Sequence, residues 1–160
     1  MSVAVFTQLH VIISLIGIAT GVIAAFGLVT NRRCSRWTAL FLVTTILTSA
    51  TGFLFHSKVI GPPHVVGAIS LVVLAGATYA LHARHLAGAW RGAYVVAALL
   101  ALYLNAFVGV VQAFQKLPAL HQFAPHGSEP PFAIAQLVVL AAFVLLGYQS
   151  LRRFHPPAAT

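Results

Sequence analysis

"LHVIISLIGIATGVIAAFGLVT", residues 9–30, carries no formally charged side chain and stops at "NRRCSR", residues 31–36. An α-helix rises 1.5 Å per residue, so about 20 apolar residues cross the ~30 Å hydrocarbon layer of a bilayer. In lipid every backbone N–H and C=O must be satisfied internally, which leaves helices and closed barrels as spanning structures. Barrel strands alternate apolar and polar over about ten residues, and this run does not alternate. Working outward, four more apolar runs follow at 37–55, 64–81, 94–115 and 132–151. "GPPH", "RHLAGAWRG" and "KLPALHQFAPHGSEPP" separate them. Pro62, Pro63, Pro130 and Pro131 suit first helical turns, where a missing N–H removes no hydrogen bond. The expectation is an all-α polytopic integral membrane protein: one domain over residues 1–160, with five transmembrane helices in a compact bundle.

Composition gives the same class. The chain is 60% hydrophobic and 6% charged, against about 25% charged in a soluble domain, so lipid must be its main solvent. The formal charge of +8 lies in loops between apolar runs, not in a patch, and excludes a nucleic-acid module. Cys34 is the only cysteine, so there is no intrachain disulfide and no CxxC motif; it reads as a free thiol in a short loop. "MSVAVFTQLH" lacks a basic leading region, and no signal peptide is expected.

With five spans, Arg32, Arg33, Arg36, Arg84, Arg91, Arg152 and Arg153 fall on one side, and Lys58 and Lys116 on the other. The positive-inside rule then places the N-terminus outside and the C-terminus in the cytoplasm, in a bacterial inner membrane.

Helices in lipid approach through small residues. Gly17, Gly21 and Ala25 form such a stripe, continued outward by Ser14 and His10. Thr45, Ser49 and Gly52 lead to His56, and Ala68, Ala75 and Thr78 share a side with His64. His10, His56 and His64 are therefore expected to converge at the outer end. Neutral imidazoles bind haem iron, copper or zinc, so these three are the candidate metal or cofactor ligands.

The fourth run carries a second pattern. Positions seven and eleven apart nearly eclipse on a helix, which aligns Tyr94, Asn105, Gln112 and Lys116. A polar group facing lipid is costly, so the stripe is expected to line a cavity open to the outside. Glu129 is the single acid and is expected to pair with Lys116, with Gln136 on the same wall and His121 and His126 in the covering loop. His82, His85 and His155 read as headgroup-level residues.

The chain contains no HExxH, P-loop or dinucleotide-binding turn. Three functions remain open on sequence. One is a protein binding haem, a transition metal or a quinone-like cofactor, with a redox role. Another is a module that binds or transports a small molecule or ion. The third is an assembly subunit bonded to a membrane-protein partner or to its own copies through Gly17 and Gly21.

Overall fold

The apolar runs become long helices, and what ends each one is local. The computed structural model describes residues 2–55 and 61–156. Helix α1 spans Val3–Val29, starting before residue 9 because the Ser2 hydroxyl accepts the Val5 N–H at 3.4 Å. It ends where Asn31 adopts φ 56° and Arg32 N–H returns to the Gly27 carbonyl at 2.8 Å. Helix α2 is Ser35–Gly52 and α3 is Pro62–Thr78, extended by a π-helical turn over Tyr79–Ala83. Helix α4 covers Ala89–Lys116, α5 is a single turn at Pro118–His121, and α6 is Pro130–Arg153. No strand occurs among the described residues.

Four of these helices, α1, α3 with its π turn, α4 and α6, are long and apolar enough to cross a membrane. Helix α2 is less apolar, because Arg36 and a series of Ser and Thr residues interrupt its Leu, Val, Phe and Ile.

The bundle is built around α4, which touches α1, α2, α3 and α6. Its buried side, from Tyr94 through Val95, Ala98, Leu99 and Leu102 to Asn105, meets the small-residue side of α1. Gly21 shows why that side is small. A Cβ there would lie 2.8 Å from the Phe41 ring and would also collide with Leu102. A Cβ on Gly17 would lie 3.1 Å from Asn105 Nδ2 and from Thr45 Oγ1. These glycines pack within the chain, which removes the basis for an oligomer joined through them.

Helix α3 turns a different side inward from the one expected. Ser70, Leu74, Ala77 and Ala80 are buried, whereas Ala68 and Ala75 are exposed. Lipid and Leu are equally apolar, so packing alone orients such a helix, and Leu74 at 0% exposure packs against α4 better than an alanine stripe would. Helix α6 buries only Ser150 outright and meets α4 through ring contacts such as Tyr103–Phe143 at 5.6 Å.

Candidate functional site

The turn between α1 and α2, the π turn of α3, the start of α4 and the segment after α6 all gather at one end of the bundle, here called the arginine-rich end. They enclose a cavity of about 230 Å³. Arg32 and Arg33 stand on its rim, with His82 from the π turn. Ser35, Thr38 and Tyr94 supply hydroxyls, and Tyr94 interacts with Thr38 and Arg33. Leu28, Leu81, Leu86 and Phe154 form the apolar floor.

The backbone around this cavity is strained. Asn31, His85 and Leu86 have φ of 56°, 47° and 60°, and all three belong to this end. A left-handed residue other than glycine or asparagine costs roughly 1–2 kcal/mol, so the strain falls on His85 and Leu86. Leu86 keeps that conformation while 7% exposed, so its burial holds the turn in place. The π turn widens the end of α3: Arg84 N–H bonds the Tyr79 carbonyl at 3.1 Å and Leu86 N–H bonds that of Ala80 at 3.0 Å. Single π turns are often found at functional sites, as are clusters of strained residues. Arg84 lies 5.2 Å from the Trp90 ring centroid, and that ring packs edge-on against Tyr79 at 5.3 Å.

The chain after α6 straps this end. Phe154 is 3% exposed, and its ring centroid lies 6.2 Å from that of Tyr94. Arg91 Nη1 donates to the Phe154 carbonyl at 2.7 Å, and His155 N–H donates to Asn31 Oδ1 at 2.8 Å. Asn31 therefore ends α1 and also anchors the strap. The chain's single acid lies at the opposite end, so no carboxylate side chain neutralises Arg32 and Arg33.

At the opposite end, the His10 ring lies 5.0 Å edge-on to Phe55, and its Nδ1 is 2.8 Å from Thr51 Oγ1. Thr51 Oγ1 also lies 2.7 Å from the Leu47 carbonyl; with its proton on that carbonyl, Thr51 accepts from a protonated Nδ1. His64 Nδ1 accepts the Gly61 N–H at 3.3 Å, and its ring is 5.8 Å edge-on to Phe53. His56 lies outside the described residues. Among the described residues, no three His, Cys, Asp or Glu side chains converge as metal ligands.

The polar stripe of α4 divides. Asn105 is buried and accepts from the Ser14 hydroxyl at 2.9 Å, while its Nδ2 has no partner. Gln112 and Lys116, two and three turns further on, are exposed. Gln136 donates to the Phe107 carbonyl at 3.2 Å and leaves its own oxygen unpartnered. His121 Nδ1 donates to the Phe114 carbonyl at 3.2 Å.

Glu129 does not pair with Lys116. Its carboxylate folds back onto the N–H groups of His126 and Ser128, both at 2.9 Å. The His126 N–H chiefly, with smaller help from Ser128 and from the His126 charge, holds this carboxyl below its ordinary range. Loop geometry wins here because two neighbouring N–H groups need no chain closure, whereas a Lys116 pair would have to order the whole intervening segment.

Sequence reasoning placed Tyr94 on the α4 stripe and missed the cavity that Tyr94 enters. Arg32, Arg33 and His82 looked like topology and headgroup residues, and only the folded chain brings them together. No family model, curated protein or solved structure matches this chain.

Proposed function

We propose that the chain is a five-span integral membrane protein, N-terminus outside and C-terminus cytoplasmic, that binds an anionic ligand at its arginine-rich, cytoplasmic end. The observation that carries this reading is the cavity bounded by Arg32, Arg33, His82 and Tyr94 with no acidic side chain at that end. Guanidinium groups suit phosphate and carboxylate, because their fork of N–H donors matches those oxygens in pairs. A low-dielectric floor strengthens the attraction relative to the open surface.

Helix α2 serves as the additional span. Its 18 residues reach about 27 Å, close to the hydrocarbon thickness. Thr44 and Thr51 donate to carbonyls one turn back at 2.6 and 2.7 Å, which makes their hydroxyls tolerable in lipid. Five spans also place seven arginines on one side. Reporter fusions after Ser2 and after Thr160 test the topology: opposite compartments are expected, and the same compartment overturns it. Anion binding is tested by titrating purified protein in mild detergent with glycerol phosphate. Saturable binding that is lost in Arg32→Gln/Arg33→Gln is expected, and equal binding by both proteins overturns the reading.

A second reading keeps a cofactor or transition metal at the outer end, held by His10 with His56 and His64. The Thr51 bond favours it by leaving the His10 Nε2 lone pair available. Metal analysis and a visible spectrum test it; a colourless, metal-free protein after expression with iron and copper would exclude it.

A further inference from the structure

Beside the arginine-rich cavity runs a second recess, an open groove of about 620 Å³ between α2 and α3. Its wall changes character along α3. Leu71 and Ala75 come first, with Ile46 of α2 facing them; then Thr78; then His82 at the π turn. His82 also lines the arginine-rich cavity, so the two recesses share a wall. Thr78 Oγ1 is buried without a hydrogen-bond partner. From one end to the other the sequence of chemistry is hydrocarbon, imidazole, guanidinium pair.

We infer that the anionic ligand is a phospholipid of the bilayer, its phosphate between Arg32, Arg33 and His82 and one acyl chain in the groove between α2 and α3. The inference rests on the anion-binding reading of the cavity and adds the ligand's class to it. Three arguments carry it. The cavity of about 230 Å³ is smaller than the roughly 300–1,000 Å³ of ordinary small-molecule sites, and so takes a headgroup alone. The adjoining groove supplies the missing volume and is almost wholly apolar, which suits a chain and not a second polar group. The two recesses share the His82 wall, so a single molecule can occupy both at once. Charge selects the headgroup: the site is cationic, and an anionic lipid carries a net charge for it to attract, whereas a zwitterionic lipid carries none.

Native mass spectrometry of the purified protein, mixed with dioleoyl phosphatidylglycerol or dioleoyl phosphatidylcholine, tests the inference beside the glycerol phosphate titration. Wild type should retain phosphatidylglycerol at least about tenfold better than phosphatidylcholine. Arg32→Gln/Arg33→Gln should abolish that preference. Ala75→Phe, which fills the groove at an exposed position, should lower phosphatidylglycerol retention about tenfold while leaving glycerol phosphate binding unchanged. Val72→Phe, on the same helix but outside the groove, should change neither. Ala83→Leu, at an exposed position lining the same groove, should also lower phosphatidylglycerol retention, a second readout where Ala75→Phe fails to fold. Arginine-dependent glycerol phosphate binding with no lipid preference and no effect of the groove substitutions would overturn the inference and leave the anion site standing. Absence of any arginine-dependent binding would overturn both.

Discussion

The two ends of the bundle hold similar side chains in different company. At the end away from the arginines, several polar groups bond to the chain itself. His10 bonds to Thr51, His64 takes the Gly61 N–H, His121 bonds to the Phe114 carbonyl, and Glu129 takes two loop N–H groups. At the arginine-rich end Arg91 and Asn31 are used to tie down the strap, while Arg32, Arg33 and His82 border a cavity with no acid to meet them. A polar residue whose capacity is spent locally explains itself as structure. A cationic rim over an apolar floor, beside left-handed His85 and Leu86, does not. The contrast separates residues that look alike in sequence: among the described histidines, His10, His64 and His121 bond to the chain, while His82 borders the cavity.

The comparison breaks first at the strap. Phe154→Ala should cost about 3 kcal/mol, the usual penalty for deleting a buried aromatic ring. The damage should stay at one end: Cys34, half-buried on the cavity wall, should react faster with a thiol reagent, while hydrogen exchange of the loop before α6 stays unchanged. Equal loosening of both ends would mean that they are not separate.

The core between the ends gives the next effect. Gly21→Val should cost about 2–3 kcal/mol by overpacking against Phe41 and Leu102, and thermal unfolding in detergent should lose both ends together. Gly76 makes the converse point, since a Cβ there meets nothing within 4 Å. Gly76→Ala should raise stability by about 0.5–1 kcal/mol through the helix propensity gained.

Asn105→Ala should cost about 1 kcal/mol, the worth of one interhelical bond to Ser14. Ser14→Ala should cost a similar amount, and the double change less than the sum, because both remove the same bond.

The smallest effect belongs to Glu129. Its folded carboxyl titrates below the ordinary carboxylate value, so the loop bonds it makes are fully present above that value and are lost as pH falls through the lowered folded one. Protection of the His126 and Ser128 amides, relative to the intrinsic exchange rate at each pH, should therefore fall only below the ordinary carboxylate range. Glu129→Gln should remove that pH dependence and leave the arginine-rich end unaffected. An acid response in the cavity would contradict the separation of the two ends.

Much of the scaffold was legible in the sequence because hydropathy and arginine placement act over whole segments. The runs at 9–30, 64–81, 94–115 and 132–151 all lie within or largely within long apolar helices. The side each helix turns inward was less legible. In lipid, small size no longer coincides with burial, and α3 buries Leu74 while its Ala75 lines an open groove. The π turn at Tyr79–Ala83 has no composition of its own; in the fold it meets Trp90 through Tyr79 and Leu86 through the Ala80 carbonyl. Periodicity placed Asn105 and Tyr94 on one stripe and both are buried, but it carried no information about where the bundle stops covering α4, beyond which Gln112 and Lys116 are exposed. The cavity joins residues from four separate segments, and only tertiary contact assembles them.

The most direct test is an experimental structure of the protein in nanodiscs containing phosphatidylglycerol. The account predicts phosphate density within hydrogen-bonding reach of Arg32 and Arg33, beside His82, with a chain running past Thr78 toward Ala75. Arg32 and Arg33 turned away to bulk water, with the cavity closed by Phe154 or Tyr94 and no density there, would contradict it.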